Sequence, residues 1–446
     1  MKDLRVVFLP LARTTFHMES AAECYEKSLE VLKELVPSLT FPGELLTSPE
    51  MLLDYLKSVQ GTLPHVVVVQ CTTFVDSVFM SHVARELSCP IILWGVREPV
   101  IDGGRLRLNS LTGVYAAGNV LVSLGREFVY VFGAPTEANL RNELAVQLKA
   151  VDIQRKLKDL NVGVIGHFPP GFYFSNLEDV DLMRHIGPRV LRLEARDIMK
   201  RAGLFEEGET KQALTEAKQM LNGLDAFDEA TLDKHARLRL AYRQVVEENR
   251  LGALATRCWP DFFVEYGASV CAAISGLTEK GIVSSCEADI GGAISMYIAR
   301  ELAGSAPYFG DPVSLDEEKN AITFWHCGAG ACSLAHKDTG AKAGVHPNRK
   351  LGVTMEFGLK PGRVTVLRLG KGPQGYRMYL LGGEALDEPQ QFLGTSVVIK
   401  TDNKAAEIVA QSVEQGWEAH FVVVYGDIRP EIKALCRLMN IPVVEF

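Results

Sequence analysis

Glu287 and Asp289 stand two positions apart in SSCEADIGGA, residues 284–293, between a cysteine and a pair of glycines. A short apolar run, Ile282-Val283, leads in, and a helix-like run, Ala293 to Leu302, leads out, so both acids fall where a strand feeds a helix. Carboxylates at such a junction are costly to bury unless a cationic side chain, a helix N-terminus or a metal ion meets them. More groups of this kind flank other strand-like runs: Asp311 in YFGDP (308–312), His326 closing FWH, and His420 in GWEAHFVVVYGD. Two carboxylates and two imidazoles with open positions suit Mn²⁺, Fe²⁺, Co²⁺ or Zn²⁺.

Strand geometry limits the membership. Neighbours in an extended segment point to opposite faces. With Glu287 turned to the site, Cys286 and Ala288 turn away, while Asp289 can return to it. With His326 turned in, Cys327 turns out, which favours a nitrogen/oxygen site over a thiolate-bound zinc. Each residue also has a plainer reading. Glu287 could meet only the dipole of the following helix. Asp311 before proline is an ordinary turn residue. A single histidine at a strand end is often a surface or capping group. Cys286, Cys327 and Cys332 read as small buried residues.

The elements that must position these groups alternate along the chain. Strand signals at Leu4–Leu9, His65–Gln70, Pro90–Trp94 and Phe128–Phe132 interleave with helical spacing at Ser20–Leu35 and Phe74–Leu87. That is a doubly wound α/β pattern, in which ligands meet the loops after the strands. Those loops are LARTTFH (11–17), QCTTFVDS (70–77) and GVREP (95–99); Arg13, Gln70, Thr72 and Arg97 in them, and Trp94 at the strand end before GVREP, are candidate substrate contacts. No dinucleotide fingerprint or phosphate loop follows any of these strands.

A helical run, 139–157, leads to a second α/β start at Asn161–His167. Its loop, HFPPGFYFSN, has the aromatic, Pro/Gly texture of a binding loop and adds His167; ATRCWP (255–260) adds Arg257 and Trp259. Residues 206–251 and 266–280 read as helix. Beyond about residue 340 short strands alternate with turns, in the manner of a barrel or sandwich. A helix, strand, helix and strand close the chain. The loop HKDTGAKAGVHPNRK reads as mobile, with His346 as a substrate contact and His336 without a role. The expected fold is therefore two doubly wound α/β domains, 1–157 and 158–335, followed by a β-rich C-terminal domain with an α/β edge, 336–446.

Bulk properties exclude several classes. At 446 residues the chain is too long for one ordinary core. A net charge of −8 without a basic stripe argues against nucleic acid. No apolar run reaches the length of a membrane span, and the N-terminal run is too short for a signal-peptide core. Nine dispersed cysteines without a CxxC read as reduced thiols in a cytoplasm rather than a structural zinc knot.

Taken together, CEADIGGA, FGDP, FWHCGAG, LKPGRVTVLRL and WEAHFVVVYGD resemble the L-fucose/L-arabinose isomerase family, and NSLTG (109–113) with ATRCWP resembles its shorter, fucose-isomerase-like members. The resemblance implies two α/β domains and a β-rich domain. It also implies a Mn²⁺-dependent aldose–ketose isomerase working through an enediol. In that pattern Glu287 and Asp311 match the acids that bind metal and move the proton, and His326 and His420 match the imidazole ligands. The chain departs from the family at the tail, where Ala419 precedes a single histidine instead of a His pair. The resemblance further implies a homo-oligomer, trimeric or hexameric, with active sites shared between subunits.

The expected substrate is a free deoxy-hexose, a pentose or a sulfonated hexose such as sulfoquinovose. An anionic tail would call for an arginine fork, with Arg13, Arg97 and Arg257 as candidates. The rival reading is a non-catalytic sugar-binding protein of two α/β lobes, which would need no metal. A lyase or epimerase using the same metal and enediol is a third.

Overall fold

The computed structural model describes Met1 and residues 3–446. The chain divides into two compact units, Met1–Arg155 and Lys156–Phe446. The fold is that of two parallel-sheet α/β domains followed by an antiparallel β-barrel domain.

In the first unit five parallel strands run in the order Leu39–Thr40, Val6–Leu11, Val66–Cys71, Ile91–Gly95, Phe128–Phe132. The central strands VVFLPL, VVVVQC and IILWG are buried along their whole length, as a parallel sheet covered by helices on both faces requires. The edge strand Phe128–Phe132 buries only alternate positions. The helices Pro49–Val59 and Ser110–Ser123 had no clear sequence signal. The second of these holds its place through small residues: a Cβ on Gly113 would come within 2.9 Å of the Val75 backbone nitrogen.

The second unit begins with four parallel strands in the order Arg189–Leu193, Asn161–Ile165, Ala253–Thr256, Val283–Ser285. The helical stretch 206–251 is two helices, Glu207–Lys218 and Glu229–Asn249. They part at a turn where Gly223 takes φ +80°. The helix expected over 266–280 begins only at Cys271, because Gly267 at φ +72° ends a π-helical turn before it.

The remaining strands form one large sheet that closes on itself. The strands 395–401, 321–326, 308–316, 421–425, 362–372 and 375–385 pair in that order, and 375–385 pairs back to 395–401. Closure removes the exposed sheet edges. Tyr308, Phe324, Val366, Tyr379, Leu381, Ile399 and Val423 belong to its core. Two of these strands, Tyr308–Asp316 and Ala321–His326, precede residue 335 and belong to the barrel sheet. The loop 336–350 carries a short strand, Lys342–Gly344, paired to Thr354–Gly358. No helix among the described residues is long and apolar enough to cross a membrane.

Candidate functional site

Barrel register brings the expected ligands together. Tyr308, Phe309 and Gly310 pair with Val423, Val422 and Phe421, so the same antiparallel step places Asp311 across from His420. Asp311 also pairs with Trp325, next to His326, on the other side. Asp311 is thus a strand residue and not a turn residue. Three neighbouring strands carry Asp311, His326 and His420 at one end of the barrel, and the turn after Val283–Ser285 brings Glu287 to them.

The contacts are close. His420 Nε2 lies 3.4 Å from both Glu287 Oε2 and Asp311 Oδ1, and His326 Nε2 lies 3.7 Å from Glu287 Oε2. Trp259 donates its indole N–H to Glu287 Oε1 at 3.3 Å. Among the described residues Glu287 Oε2 and Asp311 Oδ1 are buried without a hydrogen-bond partner. Phe309 and Phe174 pack on the His420 ring at 4.8 and 5.1 Å, and Phe172 meets Trp259 at 5.6 Å. Phe172 and Phe174 of the aromatic loop 167–176 thus pack behind the cluster.

Asp289 answers the question its neighbour leaves open. It caps the helix Ile290–Ala303, accepting from Gly292 N at 2.8 Å. Its carboxylate also takes both arms of Arg368, at 2.6 and 2.9 Å, and meets His420 Nδ1 at 2.7 Å. Burial pushes Asp289 up, but Arg368 and His420 outweigh it and hold the group at about 2. The glycine pair makes room for this: a Cβ on Gly292 would collide with the Phe309 ring and crowd Arg368. With Nδ1 turned to Asp289, His420 directs Nε2 to Glu287 and Asp311; burial lowers its pKa, but Asp289, Glu287 and Asp311 outweigh burial and raise the group above its ordinary value. A carboxylate behind an imidazole in this way fixes and strengthens a metal-ligating histidine.

The clustered carboxylates and imidazoles shift one another's titration. Burial raises Asp311 over the opposing pull of His420 and His326. Glu287 is held below its usual value because His326, His420 and Trp259 outweigh burial. Burial lowers His326, yet Glu287 and Asp311 drive it to about 9. A site that draws its imidazoles towards positive charge and leaves two carboxylate oxygens orphaned fits a divalent cation. The chain offers a second donor set beside it. Cys258 and Cys286 sulfurs and a Glu287 oxygen lie within 4.8 Å of one another. There the hydrogen bond with Cys258 and then burial keep the Cys286 thiol well above its usual range, which disfavours the thiolate a metal needs.

Extended-chain alternation does not hold at this point. Glu287 and Ala288 both take φ +52° in consecutive left-handed positions, so the chain turns. Ser285 Oγ donates to Asp289 O at 2.7 Å, and Ala288 N donates to Thr256 O at 3.0 Å. Cys327 does not turn away either: its Sγ lies 3.6 Å from His326 Nδ1.

Trp259, Glu287, Asp311, His326, His346 and Arg349 wall one pocket. His346 Nδ1 accepts the backbone N–H groups of Asn348 and Arg349 at 3.3 and 3.2 Å, which leaves Nε2 as the protonated nitrogen. Burial, then the charges of His326 and Arg349, lower it to about 4. His167 and Arg257 fall together in a different pocket, and Arg257 lies 2.8 Å from Asp261.

The other candidates belong to the first unit. Gln70 and Thr72 are fully buried and bonded to each other at 2.9 Å, with Gln70 also held by Ser28 at 2.8 Å. Trp94 is fully buried with its N–H on Gly133 O at 3.1 Å. Arg13 pairs with Asp76 at 2.8 Å, and Arg97 forks Glu137 at 2.6 and 3.1 Å. Sequence reasoning missed Arg368 and Arg349. The first had a signal, an arginine inside the apolar run VTVLRL, which must find a partner if buried.

A family model for the L-fucose isomerase C-terminal domain matches residues 343–446. A sulfoquinovose isomerase of Clostridium sp. (strain MSTE9) is 44% identical over 444 residues, 99% of each chain. Another, from Alkalicoccus urumqiensis, is 45% identical over 445 residues, again 99% of each. Among solved structures, a periplasmic solute-binding protein from Actinobacillus succinogenes with bound D-allose aligns at 13% identity and a TM-score of 0.18, covering 63% of this chain and 84% of its own, too low to carry an argument. Identity of this order along the whole length decides the matter: the chain belongs to the fucose-isomerase-like family of sugar isomerases that includes the sulfoquinovose isomerases.

Proposed function

We propose that this protein is an aldose–ketose isomerase acting on sulfoquinovose through an enediol. Glu287, Asp311, His326 and His420 would hold its divalent cation, Mn²⁺ or a similar ion such as Co²⁺, Fe²⁺ or Zn²⁺. The observation that carries the reading is the pair of orphaned oxygens, Glu287 Oε2 and Asp311 Oδ1, each 3.4 Å from an imidazole nitrogen whose tautomer Asp289 fixes. The full-length likeness to proteins named sulfoquinovose isomerase supports the choice of sugar.

When bound, the cation supplies Lewis acidity for the developing oxyanion and a template for two adjacent sugar oxygens. The chain's own groups supply the rest. One carboxylate removes the proton from C2 and delivers it to C1, while the other carries the hydroxyl proton from O2 to O1. Asp311, whose side chain is 31% exposed against 10% for Glu287, has more of the freedom a base needs. Glu287 is fixed by the Trp259 indole. Neutral His346 offers its Nε2–H to a sugar hydroxyl, and Phe172 and Phe174 shield the imidazole from water.

The same reading makes the protein a cytoplasmic homo-oligomer, trimeric or hexameric. Its sites are completed by a neighbouring copy's first unit, which would bring in Arg13, Gln70 or Thr72.

The test is NMR of ketose formation in D₂O by EDTA-treated protein, with and without Mn²⁺. Metal-dependent ketose carrying deuterium at the exchanging carbon is expected. Glu287→Gln and Asp311→Asn should each lower kcat by about 10²–10⁴. Turnover that survives complete metal removal would sink the cation assignment. Absence of turnover together with absence of bound metal would return the sugar-binding reading.

A further inference from the structure

We propose that Arg349 binds the sulfonate of the substrate; the inference rests on the isomerase reading above and adds where the anionic end of the sugar lies. Arg349 stands in the pocket that holds the carboxylate–imidazole cluster. Its guanidinium carbon lies 5.1 Å from the centre of the Trp259 ring. The same indole donates to Glu287 Oε1 at 3.3 Å. A fixed cation thus sits on one side of an indole and a carboxylate of the reacting cluster at its N–H edge. A sugar with its carbonyl end at the cluster would run its far end towards Arg349.

Availability distinguishes this arginine from the three expected by sequence. Arg13, Arg97 and Arg257 are each within 2.6–2.8 Å of a carboxylate, on Asp76, Glu137 and Asp261. Among the described residues no carboxylate forms an ion pair with Arg349. Arg349 is exposed at the pocket wall, with its guanidinium over the face of Trp259. Its backbone is fixed all the same. The N–H groups of Asn348 and Arg349 end on buried His346 Nδ1, and Lys350 N donates to His346 O at 2.9 Å. A preorganised backbone with a free planar fork matches an anion with several equivalent oxygens. The Asn348 amide, on the same wall, can meet a further oxygen.

The experiment compares sulfoquinovose with quinovose, the same sugar without the sulfonate. Arg349→Gln should lower the preference for sulfoquinovose, measured as the ratio of kcat/KM values, by about ten- to a hundredfold. Most of the change should appear in KM, and Arg349→Lys should recover part of it. An unchanged ratio in Arg349→Gln would overturn the assignment. If the parent protein isomerises neither sugar, the isomerase reading fails, and binding decides the anion site by itself. Calorimetric titration of EDTA-treated protein with sulfoquinovose should then show weaker binding to Arg349→Gln than to the parent. Equal affinities would refute the proposal.

Discussion

Asp289 makes no direct approach to the pocket, yet it holds the imidazole of His420 that meets Glu287 and Asp311. It is wholly buried between Arg368 and His420. Breaking a buried pair leaves an uncompensated charge and typically costs about 3–5 kcal/mol. Asp289→Asn should therefore lower the urea-derived stability by that order, and loosen metal binding about 10–100-fold because His420 loses its orienting partner. A variant as stable as the parent would mean that Arg368 finds another partner. At this scale the sequence singled out the groups that the structure brings into one cluster. Glu287, Asp311, His326 and His420 stand beside strand-like runs, and their order along the chain carries the family likeness. What stayed hidden was the pairing of Asp289 with an arginine 79 positions later. Arg349 was hidden for the same reason. Whether an arginine is spent on a carboxylate or left free is a property of tertiary neighbours, so Arg13, Arg97 and Arg257 looked equally suited.

Helices and strands were legible where their period was strong and obscure where a local backbone state intervened. The uniformly apolar strands and the tail elements Ala405–Glu414 and Phe421–Tyr425 fall where periodicity puts them. The helix Glu229–Asn249 was legible as a charged helix but concealed His235, which is fully buried with neither ring nitrogen hydrogen-bonded. Burial, helped by the charge of Arg239, lowers its pKa from 6.5 to about 3. The folded state then refuses a proton that the unfolded chain accepts below its ordinary value. This contribution is intact above pH 6.5 and lost progressively as pH falls towards 3, at about 1.4 kcal/mol per pH unit. Between pH 7 and 5 the loss is about 2 kcal/mol. Urea midpoints at these two pH values should converge in His235→Leu. An undiminished difference would place the acid sensitivity elsewhere.

Across the whole molecule, the chain visits the parallel sheet of the second unit before it builds the barrel, and the turn at 286–289 is where the one hands over to the other. Two consecutive non-glycine residues hold left-handed backbone there, Glu287 and Ala288, each at a strain of roughly 1–2 kcal/mol. The Ala288 N–H on Thr256 O, and the Ser285 Oγ bond to Asp289 O across the turn, hold it in place. Ala288→Gly should raise the melting temperature while lowering kcat, because the relaxed turn no longer aims Glu287. A variant no more stable than its parent in calorimetry would show the turn to be unstrained. The strained turn also bears on heredity. Mutations that make this chain sturdier at residues 287 and 288 are expected among those that displace the Glu287 carboxylate from the cluster. A lineage that stopped meeting the sugar would therefore drift first to a calmer turn, and a comparison of sequences at these two positions would separate working enzymes from retired ones.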